Sequence, residues 1–155
     1  MRLLLLAGLL LAAPAAFAQS GPAAAAAETE AVKATITRFF DGLRRGDSAV
    51  VRSTLAPTAV LHTISTRGGA VQVQSESPRQ LLQAVGTPHP DVWDERISFE
   101  RVLVDGPLAS AWTPYQFYAG TRFSHCGYNS FQLVKLSQGW RITYIIDTRR
   151  KDGCK

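Results

Sequence analysis

A chain of 155 residues, 46% hydrophobic and 19% charged, is long enough for one domain with a real core but too short for two. Its net charge of +5 owes much to Arg149, Arg150, Lys151 and Lys155. No aromatic-interleaved basic surface accompanies that tail, so no nucleic-acid partner is expected. The sequence holds no GxSxG, P-loop, strand-to-helix GxGxxG or HExxH motif, which sets aside the nucleophile-elbow, nucleotide-binding and zinc-protease chemistries.

The N-terminus reads as an address. Met1-Arg2 is a short positive start, Leu3 to Ala13 is apolar apart from Gly8, and Pro14 breaks the run. Ala16-Phe17-Ala18 then offers a small-x-small cleavage site before Gln19. Residues 1–18 are therefore expected to be a secretory signal peptide, with the mature protein exported to the periplasm or secreted. A membrane anchor is the alternative, but the run is short for a bilayer and no stop-transfer charges follow. Residues 19–27, rich in alanine, are read as a spacer or a frayed helix start, and 28–155 as one domain.

Val32, Ile36, Phe39, Phe40 and Leu43 recur at helical spacing, with Lys33, Arg38, Asp41 and Arg44 on the other side. Gly46 stops this helix, and Asp47 caps a second, short one that Pro57 ends. Strands are expected at 59–65 and 70–75 around a Gly68-Gly69 turn. Ser77-Pro78 with Gln80 is a capping box for a third helix over 78–85. A loop with two prolines follows, and His89 between them is read as a solvated loop residue. Four consecutive antiparallel strands come next, at 96–104, 108–119, 123–136 and 140–148. Helices first and strands afterwards make an α+β fold, a curved antiparallel sheet wrapped around the N-terminal helices as a cone open at one end.

Counting across a Gln138-Gly139 turn gives the last hairpin its sidedness. Phe131 faces Ile146 and Leu133 faces Tyr144, so Phe131, Leu133 and Tyr144 point inward. By parity His125 and Asn129 do too, while Cys126, Tyr128 and Asp147 point out. A β-bulge would reverse the assignment beyond it. Cys154 lies three residues past the point opposite Cys126. In an oxidising compartment this favours a Cys126–Cys154 disulfide. Two free thiols, or a metal pair with His125, are the alternatives. Two cysteines and one histidine without a fourth ligand are a poor zinc pattern, and no metal is expected.

The polar residues that could do chemistry are few. His62 alternates with Val60 and Ile64, either as a buried neutral histidine or as a cavity base. Trp112, Tyr115 and Tyr118 share a strand that Pro114 interrupts, suggesting a bulge or an edge. They read as core or cavity lining first and hydrogen-bond donors second. Asn129 suits a strand irregularity, and Asp147 can pair with Arg149 or Arg141. Glu95, Glu100 and Asp105 fall at expected strand starts or turns, facing solvent.

The order of elements, the Gly-Asp break between the first helices and the closing Trp140-Arg141-Ile142 strand resemble the nuclear transport factor two-like superfamily. Within it, the run from His125 to Cys154 is similar to bacterial proteins filed as SnoaL-like or "putative lumazine-binding". The resemblance implies a cystatin-like barrel-sandwich with a cavity in the cone, and homodimers through the outer sheet face. Its members include cofactor-free isomerases, dehydratases and cyclases as well as domains without catalysis, so fold leaves function open.

Three readings follow, none requiring a cofactor or a membrane partner after signal cleavage. The first is an exported domain that binds a small molecule through His62, Trp112, Tyr115, His125, Asn129 and Tyr144. The second is a cofactor-free lyase or isomerase using His62 or His125, with Asp147 as a further catalytic candidate. The third is a dimerisation or interaction domain. Because parity puts no carboxylate of the hairpin in the cavity, binding is favoured over catalysis.

Overall fold

The structure is a computed structural model, which describes residues 21–154; the expected signal segment lies outside them. Helix α1 (Pro22–Arg45) begins at the alanine-rich run, which forms its first turns rather than a spacer. It buries Val32, Ile36, Phe39 and Phe40, the face that the periodicity marks. Gly46 closes it, and Asp47 caps α2 (Ser48–Thr54) by accepting from the Val50 amide. Strands β1 (Leu55–Arg67) and β2 (Ala70–Glu76) form a hairpin, followed by α3 (Pro78–Gly86) with both halves of its capping box in place. Then come β3 (Trp93–Ile97), β4 (Arg101–Asp105), β5 (Leu108–Ala119), β6 (Arg122–Leu136) and β7 (Gly139–Arg149).

The strands form one sheet in the order β2-β1-β7-β6-β5-β3, with β4 also paired to β5. Its pairings are antiparallel except β1 with β7, so the sheet is mixed rather than wholly antiparallel. Local alternation gives no sign of this, because the two partners lie some 80 residues apart. Helix α1 packs against β7 and also against β3 and β4. Those strands lie on opposite sides of β6 and β5, so the sheet bends around the helix. The core between them holds Val32, Ile36, Val51, Phe131, Leu133 and Ile142, all fully buried, each contributing about 1.5–3 kcal/mol by leaving water. At the helix's N-terminal end, Glu28 binds Lys135 and accepts from Trp140 Nε1 at 2.9 Å, fixing α1 across the hairpin tip.

Two irregularities decide which side chains face inward. The strand expected over 96–104 is split into β3 and β4, which pair with β5 on either side of Pro114. Proline has no N–H to give a ladder, and the partner strand breaks opposite it. The expected bulge or edge is realised as that gap.

The second irregularity lies in the last hairpin. Its loop is Ser137-Gln138, with Gly139 opening β7 at φ +99°, a conformation that favours glycine. Leu133 therefore pairs with Ile142, not Tyr144. On the next step Gln132 pairs with Tyr144, leaving Thr143 as an extra residue whose Oγ1 donates to the Gln132 carbonyl at 3.0 Å. This bulge flips the rest of β7. Trp140 and Ile142 face the core before it, and Ile145 and Asp147 after it. The sequence-based placement of Asp147 outside and Tyr144 inside is corrected on both counts.

Beyond the ladder, Cys126 bridges to Arg150 and carries a disulfide to Cys154, with Cα atoms 5.8 Å apart. Among the described residues no helix is long and apolar enough to cross a membrane.

Candidate functional site

Between α1, α3 and the concave face of the sheet lies a cavity of about 400 Å³. One wall is apolar and strongly aromatic, with Phe39 and Phe40 from α1 and Trp93, Phe117 and Phe131 from the sheet. The polar side combines Glu95, His125, Asn129, Asp147 and Arg149, with Thr63 and Glu76 beside them.

The strand ladders put these groups in rows. Thr63 pairs with Asp147, Asp147 with Asn129, and Asn129 with Thr113. Side chains directly opposite on one face stand about 5 Å apart, so this row runs across four strands. A second row, Glu95–Phe117–His125, crosses β3, β5 and β6. Asn129 joins the two rows by donating from Nδ2 to Glu95 Oε1 at 2.9 Å.

Asp147 is a fully engaged acceptor. Thr63 Oγ1 donates to its Oδ1 at 2.6 Å, and Arg149 Nε to its Oδ2 at 3.0 Å. Tyr115 Oη stands 3.1 Å from Oδ2 and 2.9 Å from the Thr148 carbonyl oxygen. One hydroxyl proton serves both acceptors, so the phenol has to stay protonated. Burial, then the Asp147 charge, pushes its pKa well above the ordinary tyrosine range. This network holds β7 against β5 and leaves Asp147 little to offer a ligand.

Glu95 is differently placed. It is partly buried and lines the cavity, and Asn129 is its described donor. Loss of water dominates, pushing the carboxyl up to about 7, against the smaller downward pull of the Asn129 hydrogen bond. Glu95 is therefore protonated and ionised in comparable amounts near neutrality, and among the described residues no hydrogen bond is made to its second oxygen. His125 stacks on Phe117 at 4.9 Å between centroids, with Nδ1 3.1 Å from Ser124 Oγ. Burial, then Arg149, lowers its pKa, so the imidazole is neutral.

The other sequence candidates are scattered. His62 borders the cavity between Leu61 and Thr63, but the strand pleat turns its ring the other way, and Nδ1 meets Tyr144 Oη at 2.8 Å. Tyr144 thus serves the outer face, not the cavity. Trp112 also lies outside, 43% exposed and stacked on Tyr128 at 5.2 Å, because Ala111 and Thr113 take the inward positions of β5. Tyr115 is buried beneath the polar side rather than open to it. His89 does not sit free in its loop, since it stacks on Trp93 at 4.0 Å and its Nε2 contacts the Ala84 carbonyl at 2.9 Å.

Glu95 is the residue the sequence reading missed. Its signal was present in Trp93–Glu95–Ile97, an acid alternating between two apolar residues, but a strand start placed at Arg96 concealed it. The expected absence of a hairpin carboxylate from the cavity is corrected by Asp147, and the expected solvent-facing position of Glu95 by its place in the lining.

Gly127 makes the Tyr115 contact possible. A Cβ there would stand 1.7 Å from the Thr148 carbonyl oxygen and 2.9 Å from Tyr115 Cε1, so the ring and β7 occupy space that any side chain would need. Gly127→Ala is expected to cost about 1–3 kcal/mol through overpacking. It should also displace Tyr115 from Asp147, seen as a changed tyrosine environment in near-ultraviolet circular dichroism alongside urea unfolding. An alanine variant as stable as the parent would refute this account.

Residues 27–144 match the family described as "Putative lumazine-binding". The chain belongs to that family. No functionally curated protein matches the sequence. Solved structures share the fold at low identity. An "ntf2-like protein of unknown function" from Shewanella baltica is 16% identical with a TM-score of 0.66, covering 82% of this chain and 97% of its own. An "ntf2-like protein with a cystatin-like fold" from Novosphingobium aromaticivorans is 14% identical with a TM-score of 0.66, over 83% and 84%. A "putative dehydratase from the NTF2-like family" from Streptomyces avermitilis is 14% identical with a TM-score of 0.58, over 81% and 97%. The fold is thus that of the NTF2-like superfamily and α+β, as the sequence reading expected, with a sheet that is mixed where an antiparallel one was expected.

Proposed function

We propose that this protein is an exported, cofactor-free proton-transfer catalyst acting on a small, largely apolar molecule held in the cavity. The observation that carries this reading is Glu95, a carboxyl among aromatic walls, oriented by one amide donor with its second oxygen uncommitted. A group that titrates near the working pH can take a proton and return it, and such a group contributes roughly 10²–10⁴-fold to rate. In its ionised form Glu95 removes a proton beside a carbonyl or hydroxyl-bearing carbon. In its protonated form it returns that proton at another position, or to a departing hydroxide. Neutral His125 supplies a polar contact for the oxygen that gains charge. Of the two bases expected from the sequence, His62 is hydrogen-bonded to Tyr144 and His125 stacks on Phe117, and the base role is assigned to Glu95.

The name given to the Streptomyces avermitilis relative is in keeping with this chemistry. The alternative, binding without transformation, is supported by the family description and the apolar wall. The two differ in a simple assay. With a panel of cyclic ketones in deuterated water, the protein should speed hydrogen exchange next to the carbonyl, and Glu95→Gln should lower the rate at least about 100-fold. Exchange unaffected by Glu95→Gln would leave the binding reading in possession.

A further inference from the structure

The cavity has acceptors in excess. Glu76, Glu95 and Asp147 line it, whereas Arg149 is the one lysine or arginine among the described lining residues. Arg149 is already spent on Asp147 at 3.0 Å. Glu95 retains an uncommitted oxygen, and Glu76 stands exposed at the rim on β2, opposite Leu61. An anionic ligand would meet two carboxyls whose one nearby cation, Arg149, is shared with Asp147, and a neutral apolar one would strip water from them without replacing it. An ammonium group supplies both charge and donors, and the aromatic rings of Phe117 and Trp93 beside it suit a cation.

We propose that the ligand of this cavity carries a protonated amine on an apolar body about the size of one or two rings. This rests on the reading of the cavity as the ligand site. Burial raises Glu95, the largest influence on it, and the Arg149 charge offsets that only in part. The volume of about 400 Å³ falls within the range usual for small-molecule sites.

The test compares three probes of similar shape, phenethylammonium, phenethyl alcohol and phenylacetate, by nuclear magnetic resonance titration of the full chain at about pH 8, where the amine is still charged. The ammonium probe is expected to bind about tenfold tighter than the alcohol, with phenylacetate weakest. Glu76→Gln, a rim change that leaves the fold alone, should reduce ammonium affinity about threefold and leave the alcohol unchanged. Equal or tighter binding of the alcohol or of phenylacetate overturns the proposal, as does failure of all three to shift cavity resonances. The proton-exchange assay is a separate readout. Exchange can persist when the amine preference fails, and the preference can stand when exchange does not depend on Glu95.

Discussion

Glu95→Gln is expected to make the folded protein more stable at alkaline pH and to flatten its stability between about pH 5 and 8. The carboxyl titrates at about 7 in the folded state against 4.5 as the ordinary value. Between those values the folded chain holds the extra proton, so stability falls as pH rises, and the loss is complete once pH passes the folded value. Each unit of difference corresponds to about 1.4 kcal/mol, and with the cavity partly open to solvent the loss should come to about 2–3 kcal/mol. Lowered His125 works in the opposite direction, adding stability as pH rises through the ordinary histidine range. The informative quantity is therefore the difference between the parent and Glu95→Gln in urea unfolding at each pH. Glutamine keeps an acceptor for Asn129 and removes only the charge. Parallel curves for the two proteins would mean that Glu95 ionises as it does in water, and the proton-transfer proposal would lose its base.

Loss of the disulfide is expected to have an equally large effect. Cys126 and Cys154 are separated by 28 positions in sequence, and opening such a loop removes about 3–4 kcal/mol in the chain-entropy picture. For a domain of this size that lowers Tm by roughly 10 °C. The effect should extend beyond stability, since Cys126 follows His125 and its bridge secures the end of β7 just beyond Asp147 and Arg149. The double variant Cys126→Ala with Cys154→Ala should therefore unfold earlier and lose ligand affinity together. Mass spectrometry of protein recovered from its host checks two expectations at once, a chain beginning at Gln19 and a mass two hydrogens short of the dithiol. A variant with unchanged Tm would show that the tail is held by its backbone contacts alone.

Much of this fold could be read in advance, and the reasons are local. Helix α1 was visible because its buried residues keep the 3.6-residue period. The capping box at Ser77 and the Cys126–Cys154 disulfide follow from short-range spacing, although Cys126 lies opposite Arg150 rather than Lys151. The inward direction of His125, Asn129, Phe131 and Leu133 on β6 followed from unbroken alternation. What escaped were features that alternation cannot carry. The parallel pairing of β1 with β7 joins segments that no local pattern links. A bulge at Thr143 costs one residue and leaves no mark in a run of isoleucine, threonine and tyrosine that suits either face. Glu95 was hidden by three residues of error in a strand boundary, and with it went the group on which the chemistry turns.

Thr143 divides β7 into two stretches with different duties. Before it, Trp140 and Ile142 seal the core; after it, Asp147 and Arg149 face the cavity. Deleting that residue would leave the first stretch in place and rotate the second by half a turn, sending Asp147 to the solvent and Ile146 into the cavity. The polar end of the cavity therefore depends on strand phase as much as on side-chain identity. Relatives that conserve every cavity residue but lack the inserted position would lose Asp147 and Arg149 from the cavity while keeping Glu95, His125 and Asn129, and ones that move it along the strand would carry a new set of β7 groups on the same scaffold.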